Sequence, residues 1–414
     1  MNGFTRGSFI GIGFLLASIS IGGCSSAEKS AKPEYHRPLE SGQLALRKVD
    51  SSEVRSHLVT AYQRRDVGLS GALDQSALWY AAPSSTRRFP FETQDGTITH
   101  AHAQESVLAF QDVMSRSANG ELFSREILKQ FDVYQTVGWD DRGTVLFTGY
   151  YAPIFKGSLV RTDRFAHPLH TRPDWLLTTK AGIPFGRRLP DGRIADSPDR
   201  SEIESSGMLE GSELLWLETK LDAYICQVNG SACIELPDGQ QMFVGYAGKT
   251  EHPYTGLGAS MLSEGIMTKD GLSLDAIEAY NQEHPEVVNR LIAKNRNYVF
   301  FQEYDGAGWP AGSLGVPVTQ RSSIATDKSI YPPGAVALVD TEIVDGAGGK
   351  SDFIQLVCDQ DTGGAIVAPG RCDLFMGIGP EARTLAGGQY AEGTMFYFFL
   401  KPRLLVGHSS SSPN

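Results

Sequence analysis

The sequence predicts a mainly β protein with peripheral helices, organised as two β units. Three observations carry this. Residues 144–258 and again 298–400 break into short strand-like runs separated by Gly, Pro and Asp. Helical periodicity is clearest before Tyr134 and between residues 273 and 294. No regular repeat or strict βαβ alternation is visible, so barrels fit better than a parallel α/β sheet. A chain of 414 residues with 41% hydrophobic composition can bury a large core and has room for two or three domains.

Taken in order, the chain opens with Arg6, an apolar run of about 13 residues from Phe9, and then Gly22-Gly23-Cys24-Ser25-Ser26. That run is short of the roughly 20 residues needed to span a bilayer, and small residues precede the cysteine. Residues 1–23 therefore read as a lipoprotein signal peptide and Cys24 as the lipidated first residue. Residues 24–40, polar and proline-containing, read as anchor and flexible tether. Farther on, Val107, Phe110 and Met114 recur at i, i+3 and i+7, and Ile127 with Phe131 at i, i+4, as core stripes of amphipathic helices. A second helical patch holds Ile277 and Tyr280, then restarts after Pro285 with Val287, Val288, Leu291 and Ile292. Between these regions a hairpin turns at Leu236-Pro237-Asp238-Gly239 and continues through Met242-Phe243-Val244. The polar, serine-rich residues 406–414 read as a disordered tail.

A formal net charge of -11, with no run of Lys and Arg along the sequence, argues against nucleic acid as a partner. A carbohydrate partner would have to be held by short-range hydrogen bonds and ring stacking, which 10% aromatic residues can supply. The five cysteines include Cys24 and show no zinc spacing, and the nine histidines form no His-Glu-x-x-His pair, so no metal is expected. A two-residue turn at Asn229-Gly230 would set Cys226 opposite Cys233 across a hairpin; a cross-strand disulfide and two buried thiols both stay open there. The stretch Gly377-Ile378-Gly379-Pro380-Glu381-Ala382 fits a dinucleotide fingerprint but lacks a βαβ context. It reads as a strand-to-helix turn with Pro380 in the first helical turn, and no cofactor is expected.

Candidate chemistry lies in Asp361-Thr362-Gly363-Gly364-Ala365-Ile366 and, with its acid twelve residues later, in Arg371-Cys372-Asp373-Leu374-Phe375. Alternating apolar residues flank both acids, so each strand delivers a carboxylate to one shared end of a sheet. Cys372, adjacent to Asp373, should face the other side and is no nucleophile. A third acid, Asp327 in Ser323-Ile324-Ala325-Thr326-Asp327, precedes the strand-like Ala335-Val336-Ala337-Leu338-Val339. Any single aspartate on a strand is more often a solvated or capping residue than a catalyst. This ordered set, however, closely resembles the three-aspartate domain of the membrane-bound lytic murein transglycosylase A family. Upstream segments resemble it too: Gly149-Tyr150-Tyr151-Ala152-Pro153, Arg161-Thr162-Asp163-Arg164-Phe165, Leu214-Leu215-Trp216-Leu217, Gly245-Tyr246-Ala247-Gly248-Lys249 and Gly315-Val316-Pro317-Val318-Thr319. One departure is Ala232, standing where the family's Gln-x-x-Gly-Ser-Gly has its last glycine, which removes a φ-permissive position.

The resemblance implies a double-psi β-barrel plus an inserted second β-barrel, with a substrate groove between them. Residues 41–154 would hold the N-terminal helices and the first part of the double-psi domain, 155–300 the insert, and 301–405 the three-aspartate part. It also implies a peptidoglycan lytic transglycosylase acting exolytically on glycan strands for cell-wall turnover, attached to the outer membrane through Cys24 and facing the periplasm. Partners among murein-synthesis or murein-hydrolysis proteins would fit that setting. Asp373 takes the role of catalytic acid and base, kept protonated at rest by apolar burial or by Asp361. Asp361 and Asp327 are supporting acids, and Asp361 could instead hydrogen-bond the turn at Gly363 and Gly364. Tyr150, Tyr151, Gln227, Tyr254, Thr319, Gly363 and Gly364 are the substrate-binding candidates. The alternative is a non-catalytic peptidoglycan-binding lipoprotein on the same barrel.

Overall fold

A computed structural model describes residues 33–180, 182–268, 271–346 and 349–405. The signal peptide, Cys24 and the serine-rich tail lie outside the described residues. Six strands, Val145–Ala152, Ser323–Ala325, Val336–Val344, Lys350–Asp361, Arg371–Ile378 and Tyr390–Leu400, hydrogen-bond in a closed ring. The circuit runs from Tyr390–Leu400 through Val336–Val344, Lys350–Asp361, Ser323–Ala325 and Arg371–Ile378 to Val145–Ala152, which pairs back onto Tyr390–Leu400. Two of its pairings are parallel, Ser323–Ala325 on Lys350–Asp361 and Arg371–Ile378 on Val145–Ala152. Closure removes free sheet edges and fills the interior with Phe147, Ile324, Val357, Leu374 and Tyr397, all fully buried.

One register shift decides where the acids go. Ile324 pairs with Asp359, but the next residue, Ala325, pairs with Asp361, so Gln360 is an extra residue in its strand. A bulge of this kind breaks the two-residue alternation. Asp359 and Gln360 are therefore both fully buried, while Asp361 emerges at the strand end. Gln360 in turn ties the barrel to the Val67–Ala81 helix by donating to Ala72 O at 2.6 Å and to Ser76 Oγ at 2.9 Å.

Helices Arg55–Arg64, Val67–Ala81, His100–Arg116 and Gly120–Gln130 cover the barrel with Leu58, Leu73, Val107, Phe110 and Ile127. Three of them start on side-chain caps, Asp66, Thr99 and Asn119, each accepting from the first turn. Phe131 stays buried below Ile127, but it opens the Phe131–Thr136 strand instead of continuing the helix. Residues 34–37 are not a free tether. Tyr35 donates to Glu392 Oε1 at 2.8 Å, and Arg37 pairs with Asp141 at 2.7 Å.

Strands His167–His170, Glu213–Leu217, Ile154–Ser158, Ser231–Glu235, Gln241–Lys249 and Val299–Tyr304 form a second sheet, in that spatial order. A bridge between Thr171 and Phe301 joins its two ends into a second barrel. The hairpin at Leu236-Pro237-Asp238-Gly239 joins Ser231–Glu235 to Gln241–Lys249, and helices Leu274–Glu283 and Pro285–Ile292 break at Pro285 as the sequence predicts. Residues 226–233, however, are not a hairpin. Thr219 and Asp222 form a capping box that starts the Lys220–Asn229 helix, and Gly230, at φ +71°, ends it. Cys226 thus lies on a helix and Cys233 on a strand, and the four described cysteines are all buried free thiols. Ala232 sits fully buried inside Ser231–Glu235, where no φ-permissive residue is required. The Gly379–Gly388 helix carries Pro380 in its first turn, as expected. No described helix is long and apolar enough to cross a membrane.

Candidate active site

Ala325 is the geometric centre of the site. It pairs with Asp361 on one side and with Asp373 on the other, so the two acids flank the same short strand. Neighbouring strands lie about 4.8 Å apart, which puts the two backbones about 10 Å from each other. Asp373 is part-buried, and Cys372 beside it is fully buried on the opposite face.

Asp373 Oδ1 carries all the contacts of its carboxylate. Thr148, opposite it in the parallel Val145–Ala152 strand, donates a short hydrogen bond to this oxygen. Arg371, two residues back on the same strand face, donates to it from 3.1 Å and to Thr148 Oγ1 from 2.9 Å. Oδ2 accepts no hydrogen bond from any described residue. His36 stands 3.4 Å from Arg371; burial lowers its imidazole pKa, the Arg371 charge adds to that, and Asp373 opposes it. Thr148 should therefore act as a positioning residue. Thr148→Val is expected to lower kcat about tenfold with KM little changed, while Thr148→Ser restores most of it. Equal kcat in the valine variant would remove that role.

The expected charge environment of Asp373 needs correction: its immediate ionic neighbour is the Arg371 guanidinium, not Asp361. Asp361 is the carboxyl whose pKa burial raises, against backbone donors that pull it down. Its Oδ1 accepts from Ser313 N at 2.7 Å and Thr362 N at 2.8 Å, so it holds the 312–313 loop and its own strand end, not the amides of Gly363 and Gly364. Asp327 is bonded to its surroundings by Ser329 N at 3.0 Å, Ser329 Oγ at 2.6 Å and Ala368 N at 2.9 Å, which fixes the loop leading to Arg371.

Tyr150 packs on Phe375 with ring centroids 5.1 Å apart, and its buried hydroxyl lies by Asp361 without hydrogen-bond geometry. Phe243 from the second barrel meets Trp309 at 5.0 Å, extending an aromatic wall from one barrel to the other. Tyr254, also from the second barrel, faces the glycine turn: a Cβ on Gly364 would lie 3.8 Å from it. Three candidates are not brought to this surface. Tyr151 is on the opposite strand face from Tyr150 and buried, which pushes its phenol up to about 12. Gln227 is buried beside Arg200, which donates to it from 2.5 Å, and borders a separate cavity of about 420 Å³ in the second barrel. Thr319 is a loop residue whose amide donates to Ser323 Oγ at 2.7 Å and whose carbonyl accepts from Ser322 and Ser323.

Two barrels, with acids at one end of the first and aromatic rings reaching that end from the second, define the class of architecture to which the chain belongs. Residues 146–302 match the family described as the MltA specific insert domain, and residues 322–399 match the 3D domain. The membrane-bound lytic murein transglycosylase A of Escherichia coli K12 is 33% identical over 267 residues, covering 63% of this chain and 67% of that protein. A membrane-bound lytic murein transglycosylase from Agrobacterium tumefaciens superposes with a TM-score of 0.70 at 23% identity, covering 86% of this chain and 98% of the other. E. coli MltA, solved with bound chitohexaose, gives 0.58 at 24% identity, covering 90% and 97%. The chain belongs to the membrane-bound lytic murein transglycosylase A family.

Proposed function

We propose that this chain is a peptidoglycan lytic transglycosylase. It cleaves the β-1,4 bond between N-acetylmuramic acid and N-acetylglucosamine, leaves a 1,6-anhydromuramic acid end, and acts exolytically in cell-wall turnover. The observation that carries the reading is the Asp373 carboxyl, with Oδ1 held by Thr148 and Arg371 and Oδ2 without a partner among the described residues. The family's relatives, named as membrane-bound lytic murein transglycosylases, support the same chemistry.

Cleavage needs a proton on the leaving oxygen while positive charge builds at the anomeric carbon. Asp373 Oδ2 delivers that proton, the C1–O4 bond breaks, and its electron pair stays on the N-acetylglucosamine oxygen. The C6 hydroxyl of the same muramoyl ring then attacks C1, and its proton returns to Asp373. An intramolecular nucleophile has a high effective molarity, so no second carboxylate is needed to activate it. Asp361 and Asp327 serve the site by holding its loops, and Tyr150, Tyr254 and the Gly363-Gly364 turn line the sugar path. A lipidated Cys24 and the short segment after it anchor the enzyme to the outer membrane, facing the periplasm.

Digestion of sacculi in heavy-oxygen water tests this reading. Released fragments should end in anhydromuramic acid and carry no solvent oxygen. A hydrolase using Asp361 and Asp373 around a water would give labelled reducing ends, heavier by one water, and predominance of such ends would overturn the proposal. A binding lipoprotein would release nothing.

A further inference from the structure

We propose that the cleft between residues 79–88 and the inserted barrel is a carboxylate-binding subsite for the peptide substituent of murein, an inference that rests on the lytic reading above. The cleft encloses about 210 Å³ and is lined by the exposed Arg87, Arg88 and Lys180 together with Trp79 and Ser313. None of its lining residues is acidic. Among the described residues, none of the three cations forms an ion pair. A fourth, Arg172, lies with Arg88 close to the half-exposed Tyr246 ring, whose phenol burial raises and both guanidinium groups lower.

Gathering these charges is unfavourable by itself, because like charges repel and none is neutralised by an acid. In a chain whose net charge is -11, a cleft whose charged lining residues are all cations stands out as a place prepared for an anion. Its location specifies which. The Ser313 amide that borders the cleft donates to Asp361, and a Cβ on the adjacent Gly312 would lie 3.3 Å from Asp361 Cγ. The cleft therefore opens beside the acid-bearing end of the barrel. In murein the muramoyl ring carries, on its lactyl ether, a short peptide with free carboxylates. That substituent is on the same sugar whose C1 bond is broken, so a cation cluster beside the acids meets it with no long reach. Arginine pairs with carboxylates through two parallel N–H donors, which suits Arg87 and Arg88 to this ligand.

The test compares glycan strands that keep their peptides with strands stripped of them by an amidase, which retain only the lactyl carboxylate held against the sugar ring, using the full enzyme and its Arg87→Gln/Arg88→Gln variant. Binding and release of anhydro ends are both measured. The unaltered enzyme should prefer peptide-bearing strands by about tenfold in kcat/KM, a preference that weakens with added salt. In the double variant, folded by circular dichroism, the ratio should fall to about one. No preference in the unaltered enzyme, an unchanged preference in the variant, or an equal loss on both substrates would overturn the subsite. If neither substrate gave anhydro ends, the lytic reading would fail; peptide-dependent binding lost in the double variant would then still uphold the subsite.

Discussion

Asp373→Asn should lower kcat on sacculi by about a thousandfold, the scale lost when a positioned acid–base group is removed. The substitution keeps the volume and one carbonyl oxygen, so Thr148 and Arg371 retain a partner for their hydrogen bonds. What disappears is the oxygen that donates a proton to the leaving group and recovers one from the C6 hydroxyl. Because one group performs both transfers, no second carboxylate compensates, and substrate binding should change far less than turnover. Measuring kcat from anhydro-end release, with KM and melting temperature alongside, separates this from misfolding. A folded asparagine variant turning over within tenfold of the parent would remove Asp373 from the mechanism.

Why Asp373 was legible in the sequence and its partners were not follows from the topology. Alternation of apolar residues around Asp361 and Asp373 announces two strands that carry their acids, one at its last residue and one near its start, and both strands are there. Arg371 was within reach of the same argument, since residues two apart share a strand face. Thr148 was not, because its bond to Asp373 spans 225 residues and depends on a parallel pairing that no local pattern encodes. The Lys220–Asn229 helix was misread as a hairpin because Asn229-Gly230 is equally a turn and a helix end; the Thr219–Asp222 capping box was the signal that separates them. The cationic cleft was invisible for a third reason. Arg87 and Arg88 meet Lys180 only after the inserted barrel folds against the N-terminal helices, so no run of charge appears along the chain.

The bulge at Gln360 buries a carboxylate whose loss of its counter-ion should have the largest effect on stability. Asp359 is fully buried within the barrel wall and accepts from Thr326 Oγ1 and Tyr397 Oη, each at 2.7 Å. Its counter-charge is Lys328, whose almost fully buried ammonium forms an ion pair with Oδ1 and donates to Thr326 Oγ1 at 2.9 Å. Together they lock the loop after Ser323–Ala325 against the barrel, beside Asp327 and the segment it holds. Lys328→Met keeps most of the stem but leaves a buried carboxylate with two hydroxyl donors and no cation, and is expected to cost about 3–5 kcal/mol. Burial already raises the Asp359 pKa while Lys328 opposes it, so without the lysine the rise is larger. An acid whose folded-state pKa lies above its unfolded value loses stability as pH rises between the two. The Lys328→Met deficit, measured by urea unfolding, should therefore be smaller near pH 5 than near pH 8. Adding Asp359→Asn removes the stranded charge and should recover more than half of the loss. A deficit below about 1 kcal/mol, or one that grows as pH falls, would show that the pair carries no such burden.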